Sequence, residues 1–82
     1  MKAKAETPFV PLNIAVLTVS DTRTFETDTS GQVFVDRLTA AGHSLIERVL
    51  LKDDLYKIRA QVATWIADDD VQVVLITGGT GF

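Results

Sequence analysis

The chain has no cysteine among its 82 residues, which excludes a disulfide framework, a thiolate zinc centre and a thiol nucleophile. It has a single histidine, His43, with no second His or Cys to complete a metal set; it reads as a surface residue. Both of its prolines, Pro8 and Pro11, stand near the N-terminus and block helix there. Basic residues are few and scattered: eight Lys and Arg against eleven Asp and Glu give a net charge of −3, which argues against a nucleic-acid surface. No apolar run approaches the length needed to span a membrane, and Met1–Pro8 lacks the apolar core of a signal peptide. The expected setting is therefore cytoplasmic, with neither membrane nor nucleic acid as partner. Two nucleotide signatures are missing as well. The loop after the first apolar run has no G-x-G-x-x-G, and no G-x-x-x-x-G-K-[ST] supplies a lysine to phosphates.

What is present is the composition of a small folded domain, with 46% hydrophobic and 23% charged residues. Residues 1–12 read as an extended lead-in, in which Phe9, Val10 and Leu12 are apolar enough to lie against the domain or a neighbouring subunit. Asn13–Ser20 (NIAVLTVS) is a nearly continuous β-branched run, as expected of a strand covered on both faces. A polar loop follows over 21–28. Thr29-Ser30-Gly31-Gln32 fits a capping box with Thr29 as N-cap, and the helix it opens closes at Gly42. Ser44–Leu51 predicts a second strand. Asp53 and Asp54 both offer a carboxylate cap for a second helix, whose stripe is Leu55, Ile58, Val62, Trp65 and Ile66. Trp65 reads as packing or a subunit contact. Asp68–Asp70 reads as a solvated turn, and Val71–Thr77 predicts a third strand.

The β-α-β-α-β order predicts an α/β fold with a three-layer open parallel sheet, the first strand lying between the other two. In such sheets ligands sit at the carboxyl ends of the strands, where the order reverses. Ser20, Asp21, the 21–30 loop, Asp53 and the glycine loop Thr77-Gly78-Gly79-Thr80-Gly81 all fall on that edge. Glycines there let a phosphate approach backbone N–H groups, and the threonines add hydroxyl donors. Thr29, Ser30 and Gly31 suit either capping or anion binding. Asp53 suits either a cap or a metal-holding carboxylate beside phosphates.

Taken together, IAVLTVSD, DTSG, LLKDD and VVLITGGTG resemble the molybdopterin-binding domain family over residues 9–82. The resemblance implies that residues 13–82 are the N-terminal half of that family's domain. It also implies assembly as a trimer or hexamer and a part in molybdenum cofactor biosynthesis. Active members transfer an adenylyl group from ATP to molybdopterin with Mg²⁺. On this chain Thr77, Gly78, Gly79, Thr80 and Gly81 match the loop lining the nucleotide and pterin site, and Ser20, Asp21, Ser30 and Gly31 match the pocket edge. Asp53 matches the acidic position implicated in metal-assisted catalysis. A further acidic residue of the family falls beyond Phe82, so the 82-residue chain by itself is expected to be inactive. The alternative is a non-catalytic oligomeric scaffold that binds pterin or nucleotide.

Overall fold

The computed structural model describes residues 8–78. Three strands and two helices alternate: β1 (Asn13–Val19), α1 (Thr29–Ala40), β2 (Ser44–Leu51), α2 (Leu55–Ala67) and β3 (Val73–Gly78). All strand pairs are parallel, and the sheet order is β2-β1-β3, with the first strand central as its continuous apolar sequence predicts. Alternation along β1 divides the core into two halves. Ala15, Leu17 and Val19 face Trp65, Ile58 and Val62 of α2. Ile14 and Val16 face Leu38, Phe34 and Val35 of α1. The helices thus cover opposite faces, making three layers.

β2 fits both halves because it carries an irregularity. Ile14 pairs with Leu45 but Ala15 pairs with Glu47, leaving Ile46 as an extra residue. A regular strand would put Leu45, Val49 and Leu51 on one face. With the extra residue, Leu45 packs on the α1 side and Val49 and Leu51 pack on the α2 side. The same shift puts Arg48 opposite Val16, on the α1 side.

Local chemistry explains the element ends. Gly42, at φ +91°, ends α1 in a left-handed turn in which its N–H donates to Thr39 O and the His43 N–H donates to Leu38 O. His43 is not simply a surface residue. It is half-buried, its Nδ1 accepts from the Leu12 N–H at 3.0 Å, and its ring packs against Phe9 at 5.3 Å. That bond fastens the end of the lead-in to the sheet. Asp54 Oδ1 accepts from the Tyr56 and Lys57 N–H groups and caps α2, which settles the choice between the two aspartates.

The stripe expected on α2 is narrower in the structure. Trp65 is 1% exposed and its Nε1–H donates to Glu47 Oε1 at 2.8 Å, so the indole is core with its polar tip satisfied. Leu55 and Ile66, in contrast, are 61% and 76% exposed. They sit in the first and last turns at the side of the stripe, Ile66 about 100° around the helix from the buried Trp65. Trp65→Ala is expected to cost about 3–5 kcal/mol, whereas Ile66→Ser should stay within about 0.5 kcal/mol. Urea midpoints of both variants in the intact protein check this. A loss from Ile66→Ser comparable to that from Trp65→Ala would show the outer face of α2 to be covered.

Candidate functional site

A cleft of about 400 Å³ opens at the carboxyl end of the sheet, where β1 and β3 part company. This is the position set by the strand order: the chain leaves β1 for one edge of the sheet and later returns to the other. The end of β1 and its loop supply Thr18, Val19, Ser20, Asp21 and Arg23 to the cleft wall. The start of α1 supplies Asp28, Thr29 and Ser30, the exit of β2 supplies Asp53, and β3 ends there in Gly78.

Asp28 holds this edge together. It is 3% exposed, and its carboxylate accepts from three elements. Oδ1 accepts from the Gly31 N–H at 3.0 Å, and Oδ2 accepts from Thr18 Oγ1 at 2.7 Å and from Arg48 Nη2 at 3.1 Å. Burial raises its pKa, but the bonds from Thr18, Gly31 and Arg48, with the charge of Arg48, outweigh burial and hold it below the ordinary aspartate value. The N-cap of α1 is therefore Asp28 and not Thr29. The carboxylate accepts the N–H that a capping hydroxyl would have taken, and it also pairs with a cation, which a hydroxyl cannot do. Thr29 and Ser30 are consequently left exposed on the cleft wall. The Gly31 N–H goes to Asp28 and the Thr29 N–H to Thr27 O, so Ser30 keeps the first-turn amide with no protein acceptor among the described residues.

Gly31 itself is buried behind Asp28 rather than on the wall; a Cβ there would overlap Asp28 Oδ2 and Thr18 Oγ1. Gly78 has φ +88°, and a Cβ would overlap the Val19 carbonyl oxygen, so the backbone at this rim requires glycine. Thr77 pairs with Thr18 in the sheet and is not part of the cleft wall. Gly79, Thr80 and Gly81 lie outside the described residues.

Ser20 Oγ accepts from the Thr22 and Arg23 N–H groups at 3.3 and 3.1 Å, folding the loop back on the strand end. Asp21 Oδ1 accepts from the Asp53 N–H at 3.0 Å and ties the β1 loop to the β2 exit. With Asp54 capping α2, the Asp53 carboxylate accepts no hydrogen bond among the described residues and is exposed at the cleft. No group of three His, Cys, Asp or Glu among the described residues can hold a metal without other ligands. Asp21 and Asp53 do match the way Mg²⁺ is commonly held, by one or two carboxylates with substrate phosphates completing its shell.

Sequence reasoning placed Ser20, Asp21, Ser30, Asp53 and Gly78 at one edge, and the structure brings all five to one cleft. It placed the 21–30 loop there without singling out Arg23 or Asp28, and it missed Thr18 and Arg48. A signal for Asp28 was available, since an aspartate directly before T-S-G is a strong N-cap. Arg48 had none, because its face depends on the irregularity at Ile46.

Residues 15–82 match the family described as "Probable molybdopterin binding domain". The chain is similar to molybdenum cofactor biosynthesis protein B of Escherichia coli K12, 53% identical over 79 residues, covering 96% of this chain and 46% of that protein. The protein of the same name from Bacillus subtilis is 38% identical over 78 residues, covering 95% of this chain and 45% of its own length. A crystal structure of molybdenum cofactor biosynthesis protein B superposes with a TM-score of 0.83 at 41% identity, covering 89% of this chain and 45% of that one. The chain spans about half the length of the relatives it matches.

Asp28 generates a pH prediction. Its folded pKa is depressed, so the stability it contributes is present above the unfolded value near 3.8 and is lost as pH falls through the lower folded value. Asp28→Asn is expected to cost about 3 kcal/mol at neutral pH, because it leaves Arg48 without its counter-charge. Its urea midpoint should also fall less than wild type's as pH drops below about 4. Parallel acid-limb titrations of the two proteins check this.

Proposed function

The chain belongs to the "Probable molybdopterin binding domain" family, and on that premise we propose that it serves molybdenum cofactor biosynthesis by binding molybdopterin and ATP at the β1–β3 cleft and supporting adenylyl transfer between them. The observation that carries the reading is the composition of the cleft wall. A first-turn amide and two hydroxyls from α1 stand on the same wall as the Asp53 carboxylate, and neither that amide nor that carboxylate is engaged by the described residues. The first set suits phosphate oxygens; the second suits the cation that accompanies a polyphosphate.

In the proposed step, an oxygen of the terminal phosphate of molybdopterin attacks the α-phosphorus of ATP. A P–O bond forms there, the bond to the β-phosphate bridging oxygen breaks, and pyrophosphate leaves with that electron pair. Such a transfer is governed by positioning and electrostatics rather than by one protein nucleophile. Mg²⁺, when bound with the nucleotide, would neutralise charge on the phosphates. The chain's own parts in this scheme are distinct. Ser30 N–H, with the Thr29 and Ser30 hydroxyls, orients phosphate oxygens. Asp53, backed by Asp21, holds the cation side of the nucleotide, and Gly78 keeps the rim free of a side chain where the glycine loop begins. The relatives named for molybdenum cofactor biosynthesis support the pathway assignment, which comes to this chain as a proposal because the match covers about half of their length.

The test uses the intact protein with molybdopterin, ATP and Mg²⁺, following pyrophosphate release and adenylylated pterin together. Stoichiometric appearance of both is the expected outcome; absence of binding to either ligand overturns the reading. Asp53→Ala is expected to slow single-turnover transfer by about a hundredfold or more. Its urea stability should change by less than about 1 kcal/mol, since Asp54 supplies the cap.

A further inference from the structure

Among the charged residues that the described part of the chain brings to the cleft wall, three are acids, Asp21, Asp28 and Asp53, and one is a cation, Arg23. The positive charge of Arg48 is already committed: it pairs with Asp28 at 3.1 Å, donates to Gln32 Oε1 at 2.9 Å and lies 5.3 Å from the Phe25 ring centroid. Arg23, in contrast, makes no salt bridge among the described residues. Its one side-chain hydrogen bond there runs from Nη1 to Thr27 O at 2.7 Å, which leaves most of the donors of the guanidinium fork open.

The loop that carries Arg23 is closed on itself. The Arg23 N–H donates to Ser20 Oγ, the Thr24 N–H donates to Thr27 Oγ1 at 2.9 Å, and the Thr27 N–H donates to Thr24 O at 3.1 Å. An arginine tethered at both its backbone and one nitrogen loses less entropy on gripping a ligand than a free surface arginine does. Resting on the reading of this cleft as the ligand site, we propose that Arg23 is a phosphate-binding residue, its guanidinium fork taking two oxygens of a phosphate group on the bound ligand. The side chain supplies the cation that a lysine-bearing phosphate loop would have provided and that this sequence lacks. It also gives Ser20 a role through another residue, since Ser20 Oγ holds the backbone of Arg23 in place.

The phosphate could belong to the nucleotide or to the pterin, and the experiment separates them. Calorimetric titrations of the intact wild-type protein, Arg23→Ala and Arg23→Lys would use inorganic pyrophosphate, Mg²⁺–ATP, adenosine and molybdopterin. Arg23→Ala is expected to weaken at least one phosphate-bearing ligand about tenfold or more, and to leave adenosine unchanged. Arg23→Lys should recover part of the loss, because it restores the charge without the fork. A loss for pyrophosphate and ATP assigns the nucleotide phosphates to Arg23; a loss for molybdopterin alone assigns the pterin phosphate. Unchanged affinity for every phosphate ligand in a folded Arg23→Ala protein, verified by its thermal melt, overturns the proposal. If Arg23-dependent binding of pyrophosphate and ATP is found while molybdopterin does not bind, Arg23 stands and the cofactor reading falls.

Discussion

The buried carboxylate of Asp28 is the constraint on which the cleft edge of the sheet depends. A charge at 3% exposure is tolerated only where every lone pair that leaves water finds a donor, and here the donors come from β1, α1 and β2. Each requirement propagates. Thr18 must be a hydroxyl residue in an otherwise apolar strand, because Oγ1 is the donor from β1. Gly31 must lack a side chain, because Asp28 and Thr18 occupy the space where its Cβ would stand. Arg48 must face α1, which follows from the extra residue Ile46 in β2. The D-T-S-G segment thus has a structural logic in its aspartate and glycine, and it delivers its two hydroxyl residues to the cleft.

The parts of this arrangement that were legible in the sequence are those set by local periodicity. The continuous run of β1, the glycine ending α1 and the 44–51 strand all carry their signals within a few residues, and the parallel order follows from their alternation. The carboxyl-edge position of Ser20, Asp21, Asp53 and Gly78 follows from topology once that order is accepted. What was not legible depends on contacts distant in sequence. The Arg48–Asp28 pair spans twenty residues and rests on a register shift that leaves no mark in the apolar pattern of SLIERVLL. The exposure of Leu55 and Ile66 depends on how narrow a stripe of α2 the sheet covers, and helical spacing alone does not contain that width.

Four aspartates near one sheet edge illustrate how environment assigns different work to one side chain. Asp28 is buried, triply satisfied and held ionised, so its role is to fix the helix start. Asp54 spends one oxygen on two amides of α2. Asp21 spends one on the Asp53 amide, which locks the spacing between the β1 loop and the β2 exit. Asp53 alone has its carboxylate unengaged by the described residues, because its neighbours perform the structural tasks it would otherwise share. A residue freed in this way is the one whose replacement separates chemistry from folding.

On the proposed reading, the charge balance of the cleft decides which form of a nucleotide it would take. With acids outnumbering the one cation that the described residues place on its wall, a bare polyanion would meet repulsion from Asp21 and Asp53. A polyphosphate carrying its own divalent cation would meet attraction at those same carboxylates, while its phosphate oxygens would meet Ser30 N–H and Arg23. The acids would therefore favour a cation-loaded nucleotide over a free one, and the amide and guanidinium groups would orient it. On that reading, selectivity for the loaded form would come from Asp53, whose carboxylate the described residues leave unengaged, and from Asp21, which also joins the β1 loop to the β2 exit.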